Sequence, residues 1–213
     1  MNIMSHIIIL LISLIALFDN NPHNYFNNNY RNPGKADTVN WNVQRKLIWE
    51  DFKGIPNHHS NFSAETHYVI TYTYKKNSYR DPEIKFRIHC YFEKDRSWSK
   101  EHHRNSQLLH HEQAHFDIAE LHTRMFRERV AKTTFDPQKY EDQIKRIFSE
   151  ILTECSEMQN QFDKETKFGI LREEQDEWVS IINKNLSEFE TYSIININSS
   201  KQQAIHIENN LKN

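Results

Sequence analysis

The hydrophobic pattern of this chain changes its period once, and that change determines the fold class. Apolar and polar residues alternate over Tyr68–Tyr74 and again over Ile84–Phe92, which is typical of strands with one buried face. The segment between the two runs contains turn-forming residues: Asn77, Ser78, Asp81 and Pro82. The pattern therefore predicts two antiparallel strands. An earlier segment, Val43–Phe52, suggests a third strand or a short connecting element.

After Trp98 the apolar residues recur with a period of about 3.6 residues, which indicates helices. Three helices are predicted: one from Asn105 or Ser106 to just before Asp136, one from Pro137 to about Glu165, and one from about Leu171 to Phe189. Strands followed by helices predict an α+β fold, in which a small antiparallel β-sheet precedes the three helices.

The chain of 213 residues is long enough for one domain with appendages. Ile7–Phe18 is an apolar run that is short for a membrane span and has the length of a signal-peptide core. We therefore expect a secreted or periplasmic location. The expected organisation is a signal peptide or N-terminal anchor over 1–19, an Asn-rich linker over 20–36, one domain over 37–192 and a polar tail over 193–213.

The composition excludes several classes of function. The formal net charge of -2 provides no general attraction for nucleic acid, so no nucleic-acid partner is expected, and no membrane span beyond the possible anchor is expected either. The chain has only 3 glycines and no glycine-rich phosphate-binding motif. Cys90 and Cys155 are too few for a disulfide framework, although they would suffice for one bridge. The 13 histidines are the unusual feature.

One pair of histidines has the spacing of a metal site. His111-Glu112-Gln113-Ala114-His115 is an H-E-x-x-H sequence in the middle of the first predicted helix. Residues four apart project from the same helix face, so both imidazoles are able to bind one Zn²⁺ at about 2.0 to 2.1 Å. Glu112 projects about 100° around the helix, where it would take a proton from water that the metal activates.

The alternative interpretation is that these two histidines, which lie on an apolar stripe of the helix, are hydrogen-bonded core residues that bind no metal. By chance, an H-E-x-x-H sequence occurs in about one in twenty chains this rich in His and Glu. Buried imidazoles nevertheless need a partner for each nitrogen, and a metal provides one. His122 lies about 10 Å further along the helix. It is therefore expected to be a core or cleft residue and not a ligand of the same ion.

Four segments carry a resemblance to a known family. They are LIWEDFKG (47–54), SWSK (97–100), LLHHEQAHFDIAEL (108–121) and QFDKET (161–166), the last followed by Gln175 and Trp178. These segments resemble the bacterial family called domain of unknown function 922, described as predicted secreted zinc-dependent proteases. The resemblance covers roughly Trp41 to Trp178. It implies export, a zincin-like helix, His111 and His115 as zinc ligands, and Glu112 as the general base.

The chain departs from this family at Phe168, where the family tends to place a histidine. If that histidine is the third zinc ligand of the family, another side chain must replace it here, because phenylalanine cannot bind zinc. In an antiparallel hairpin turning at Thr133–Asp136, the H-E-x-x-H sequence lies level with about residue 156 of the second helix. Glu154 is the most inward carboxylate at this level, so it is the predicted third ligand. The competing interpretation is a surface carboxylate that binds no metal. The next candidates are Glu120, Asp117 and Asp163.

The resulting hypothesis is a secreted or periplasmic zinc-dependent metallopeptidase with a zincin-like fold. Metal-activated water would attack a peptide bond while Glu112 transfers the proton. A peptide or protein substrate would add as an extra strand along a sheet edge, such as Ile84–Phe92. The alternative is a non-catalytic envelope binding protein that keeps the zincin fold. Phe168 favours this alternative, whereas the intact Glu112 favours the enzyme.

Overall fold

A computed structural model describes residues 37–76 and 84–199. The predicted signal peptide or anchor, the Asn-rich linker, the turn between the two long strands and the tail from residue 200 onward lie outside these ranges. Within them the fold is α+β, with two small antiparallel sheets and three helices, as the sequence predicts. No helix in the same ranges is long and apolar enough to cross a membrane.

The larger sheet is built around one long strand. This central strand, β4 (Ile84–Glu93), pairs antiparallel with β3 (Tyr68–Lys76) along one edge. Its other edge pairs with two short strands, β1 (Thr38–Asn40) and β6 (Asn196–Asn198). The predicted pair of antiparallel strands is therefore confirmed, whereas β6 lies in the segment predicted to be a polar tail. The prediction that a substrate adds along Ile84–Phe92 is wrong, because both edges of β4 are already paired.

A second sheet of two strands precedes the first helix. In this sheet β2 (Ala64–Glu65) pairs antiparallel with β5 (Trp98–Ser99). The segment Val43–Phe52, for which the sequence allows a strand or a connecting element, contains a short 3₁₀ turn at Trp49–Asp51 and is a connecting element.

The three helices are α1 (Ser106–Lys132), α2 (Tyr140–Thr166) and α3 (Arg172–Glu188). Asn105 caps α1, since its side chain accepts a hydrogen bond of 2.9 Å from the backbone N–H of Leu108. The connection between α1 and α2 runs from Thr133 to Lys139, so α2 begins later than the predicted start at Pro137. This longer connection changes which residues of α2 lie opposite the H-E-x-x-H sequence.

The helix α1 is the central element of the fold. It packs against the larger sheet and against both other helices. Aromatic side chains fill the contact with the sheet: the rings of Phe92 and Phe116 have centroids 5.9 Å apart, and Phe86 and Phe126 are fully buried in the same layer. From residue 111 to residue 124 every position of α1 except His115 is buried. The polar side chains of this stretch must therefore find partners inside the protein.

The two cysteines are free thiols. Cys90 lies on β4 and Cys155 on α2, and both are buried without a disulfide bond. Burial raises the pKa of both thiols, that of Cys155 to about 11. They are consequently protonated at neutral pH and pack as small apolar groups.

We expect Asn105→Ala to destabilise the protein by about 1 kcal/mol, because the N–H of Leu108 loses its acceptor at the start of α1. Asn105→Ser is the matched control, since a serine hydroxyl accepts the same hydrogen bond and its stability should stay within about 0.5 kcal/mol of wild type. Urea unfolding at equilibrium measures both free energies. Equal destabilisation by the two substitutions would contradict a capping role.

Candidate metal centre

The helices α1 and α2 bring three metal-ligating side chains together. His111 and His115 project from α1 toward α2, and their Nε2 atoms lie 3.1 Å apart. Asp163 of α2 places its Oδ1 atom 3.1 Å from each of these two nitrogens. The three ligand atoms all lie within 4.8 Å of one another. Among the described residues no other three His, Cys, Asp or Glu side chains approach this closely.

The separations are close to those around a single zinc ion. Zinc binds imidazole nitrogen at about 2.0 to 2.1 Å and carboxylate oxygen at about 2.0 to 2.2 Å, so two ligand atoms of a tetrahedral site lie about 3.3 Å apart. The ligand atoms here are separated by 3.1 Å. Small side-chain rotations would therefore admit an ion between them.

Glu112 lies beside the three ligand atoms and is not one of them. Its side chain is buried, and its Oε2 atom accepts a hydrogen bond of 2.7 Å from the hydroxyl of Thr66, the residue that follows β2. The same hydroxyl lies 3.3 Å from the backbone carbonyl oxygen of Glu112. Thr66 therefore fixes the orientation of the Glu112 carboxylate.

Apolar groups hold the two imidazole rings in place. Phe162 of α2 stacks on His111, with ring centroids 4.7 Å apart and an angle of 21° between the planes, and meets His115 edge-on at 5.2 Å. Gly169, just after α2, approaches His111 so closely that a Cβ atom there would lie 2.9 Å from the ring carbon Cγ. Its φ of 80° also favours glycine. The end of α2 is thus shaped around the ring of His111.

Glu154, the predicted third ligand, does not lie at the histidines. Its Oε2 atom accepts a hydrogen bond of 2.6 Å from Arg129, and its side chain is 36% exposed. It precedes Asp163 by nine residues, or about 13 Å along the helix. The prediction fails because the connection between α1 and α2 extends to Lys139. The two histidines therefore lie opposite residues 159 to 163 and not opposite residue 156.

Two of the lower-ranked candidates, Asp117 and Glu120, have other partners. The carboxylate of Asp117 lies 3.2 Å from the ammonium group of Lys46, and that of Glu120 accepts a hydrogen bond of 2.9 Å from Arg127. His122 lies outside the cluster, as expected: its Nδ1 atom bonds to the backbone carbonyl one turn earlier at 2.9 Å, and burial lowers its pKa. Of the four candidates for the third ligand, only Asp163 reaches the histidines.

Sequence reasoning missed two residues that contact the cluster, Thr66 and Gln159. The contact of Thr66 depends on the tertiary position of β2 and has no signal in the sequence. For α2 a signal does exist, because Cys155, Gln159 and Asp163 are spaced four residues apart and so share one face of the helix. The buried face of α2 therefore continues from apolar residues into polar ones at the level of the site.

In the metal-free protein the cluster is ionic. Burial disfavours the His115 cation, but the adjacent Asp163 carboxylate outweighs this effect and raises the pKa of His115 to about 9. Burial likewise acts to raise the pKa of Asp163, yet the two imidazoles hold the pKa of this carboxyl well below its usual range. At neutral pH the site therefore pairs an imidazolium with a carboxylate.

Residues 48–169 of the chain match the family model described as Bacterial protein of unknown function (DUF922). The chain belongs to this family. The matched segment includes all four residues of the centre: His111, Glu112, His115 and Asp163. No curated protein and no solved structure matches the chain. In this DUF922 protein the chemistry of the centre depends on these four side chains.

We expect the stability difference between wild type and Asp163→Asn, both free of metal, to depend on pH. The pKa of His115 in the folded state, about 9, lies above its ordinary value of 6.5. The imidazolium–carboxylate pair therefore stabilises the fold fully below about pH 6.5, and this contribution is lost as the pH rises through about 9. Urea unfolding in the presence of a chelator, at several pH values from about 6 to 9.5, measures the difference. A difference that stays constant over this interval would contradict the ionic pair.

Proposed function

We propose that this DUF922 protein is a zinc-dependent peptidase, with His111, His115 and Asp163 as zinc ligands and Glu112 as general base. The observation that carries the proposal is the convergence of two imidazole nitrogens and one carboxylate oxygen within 4.8 Å, beside the buried Glu112. The H-E-x-x-H spacing accounts for the two histidines and the base, and α2 provides the remaining ligand.

The donor set suits a catalytic zinc better than a structural one. Structural zinc sites use four protein ligands, commonly cysteines, whereas catalytic sites use three and keep a fourth position for water or substrate. Two imidazoles and one carboxylate form such a set of three. The negative charges of Asp163 and Glu112 would also balance the double charge of the ion in a region from which water is largely excluded.

Zinc, when bound, supplies a Lewis acid that polarises a substrate carbonyl and lowers the pKa of its water to about 7. The protein supplies the proton transfer. Thr66 holds Oε2 of Glu112, which leaves Oε1 as the expected acceptor of the proton from the attacking water. Glu112 then returns this proton to the leaving amine. The aromatic ring of Phe162 and the backbone at Gly169 keep the two imidazoles oriented while this occurs.

A peptide or protein is the substrate class that the surroundings of Glu112 favour. Within the described ranges β2 pairs only with β5, so one of its edges has no strand partner there. Thr66, the next residue, contacts Glu112. An extended peptide beside this edge of β2 would be bound through main-chain hydrogen bonds and would pass the general base. This edge replaces the edge of β4 as the expected binding surface.

The alternative is a protein that binds metal without catalysis. The feature that favours it is the burial of the site: His111 and Glu112 each have only 3% of their surface exposed. His115, with 14% of its side chain exposed, is the most accessible ligand. A centre this buried is more accessible to an ion than to a peptide chain.

For location we propose export to the periplasm or the exterior. The support is the apolar run Ile7–Phe18, which has the length of a signal-peptide core. The cysteines do not distinguish the locations, because Cys90 and Cys155 are both buried free thiols.

The full-length protein should bind about one zinc ion, and Asp163→Asn should weaken zinc binding more than about tenfold, because the amide keeps the shape of the side chain but not its charge. Glu154→Gln is the matched control on the same helix, where the exposed side chain pairs with Arg129; its zinc affinity should equal that of wild type. Competitive titration with a chromophoric chelator measures all three. A wild-type protein that binds no transition metal would contradict the proposal.

Glu112→Gln should keep zinc while peptide hydrolysis falls by roughly 10²- to 10⁴-fold, since the amide accepts no proton from water. The measurement is the cleavage of a mixed peptide library, with zinc content determined on the same preparations. Activity that survives this substitution would exclude Glu112 as the base. A wild-type protein that holds zinc but cleaves no peptide would support the non-catalytic alternative.

A further inference from the structure

We propose that Gln159 is a positioning residue of the metal centre, which fixes the tautomer and the ring orientation of His115 so that its Nε2 atom faces the ion. This inference rests on the proposed zinc site. Gln159 lies on α2 one turn before Asp163 and is 3% exposed. The same helix would therefore provide one ligand and the support of another.

The contact between Gln159 and His115 has two hydrogen bonds. The Nδ1 atom of His115 lies 2.5 Å from the Oε1 atom of Gln159. The Nε2 atom of Gln159 donates a bond of 2.9 Å to the backbone carbonyl of His115. Because a backbone carbonyl only accepts, the second bond determines which end of the amide is nitrogen. Oε1 must then face the ring, and Nδ1 must carry a hydrogen.

A hydrogen on Nδ1 has a direct consequence for the opposite ring nitrogen. When metal displaces the Nε2 proton, the neutral imidazole keeps its one N–H at Nδ1, so Nε2 of His115 becomes the atom with a free electron pair. That atom lies 3.1 Å from Asp163 Oδ1 and 3.1 Å from His111 Nε2, which is the centre of the ligand cluster. Gln159 therefore selects the tautomer that binds metal.

The second histidine of the cluster has no comparable support. Within the described residues, Nδ1 of His111 is buried and has no hydrogen-bond partner. Its ring is held by stacking on Phe162 and by the close approach of Gly169. The two ligands are thus positioned in different ways, one by a double hydrogen bond and the other by packing. Among the described residues, Gln159 is the one side chain from outside the ligand cluster with a hydrogen bond to a ligand imidazole.

An amide also keeps the charge of the site balanced. Asp163 and Glu112 already contribute two negative charges, which equal the charge of one zinc ion. A carboxylate at position 159 would accept the same hydrogen bond from Nδ1 but add a third negative charge in a buried region. Gln159→Glu is therefore the variant that keeps the acceptor for the Nδ1 hydrogen, while it loses the donor to the backbone carbonyl of His115 and adds a charge.

The test compares zinc affinities of full-length variants by competition with a chromophoric chelator. Gln159→Leu should bind zinc roughly 10- to 100-fold more weakly than wild type, the range typical of lost support for a ligand. Gln159→Glu should bind zinc more tightly than Gln159→Leu, because it keeps the acceptor for the Nδ1 hydrogen of His115. Gln161→Leu is the matched control, because Gln161 lies on the exposed side of the same helix and donates a hydrogen bond to Glu165, away from the histidines. The zinc affinity of this variant should not change.

A spectroscopic measurement on the zinc-loaded protein separates positioning from folding. In wild type the Nδ1 proton of His115 should give a slowly exchanging imidazole NMR signal, which should remain in Gln159→Glu and vanish or exchange rapidly in Gln159→Leu. Wild-type zinc affinity in Gln159→Leu, or equal weakening in Gln159→Leu and Gln159→Glu, would overturn the role of Gln159 while leaving the zinc site intact. A wild-type protein that binds no zinc would instead overturn the proposed function, and the role of Gln159 with it.

Discussion

A buried ionic contact between the two 27-residue helices constrains the rest of the fold. One oxygen of Asp163 lies 3.1 Å from an imidazole nitrogen of both His111 and His115. A buried carboxylate is costly unless a charged partner is close. A shift of α2 by one residue would turn Asp163 by about 100° away from both histidines. The polar cluster therefore fixes the register of α1 against α2, which apolar contacts alone would define less strictly.

A second row of charges on α1 differs from the histidine cluster in how its carboxylates are compensated. Both rows are buried, but in the second row the protein supplies its own counter-charges: Glu120 contacts Arg127, and Asp117 contacts Lys46. The carboxylates of Asp163 and Glu112 have no hydrogen bond or ion pair with lysine or arginine among the described residues, and their partners are histidine and threonine. In the metal-free protein the His115 imidazolium compensates Asp163, and the proposed zinc ion would compensate both carboxylates.

The sequence predicts those parts of the protein that depend on local periodicity. Alternation over Ile84–Phe92 and the helical stripe of α1 are strong signals, and His111, Glu112 and His115 share one helix, so their relation follows from helix geometry alone. The short strands β1 and β6 each bury a single apolar side chain, which is too little for a pattern. Periodicity alone favours Glu154 over Asp163, because it does not define the length of the connection that sets the position of α2 along α1.

X-ray absorption at the zinc edge of the zinc-loaded, full-length protein tests the central claim most directly, because it reports the donor atoms themselves. The proposed centre predicts two imidazole nitrogens at about 2.0 to 2.1 Å and carboxylate oxygen at about 2.0 to 2.2 Å, with no sulfur. In Asp163→Asn the shell should change while the scattering of two imidazoles persists. A spectrum with sulfur at about 2.3 Å, with one imidazole or with none would contradict a zinc site built from His111, His115 and Asp163.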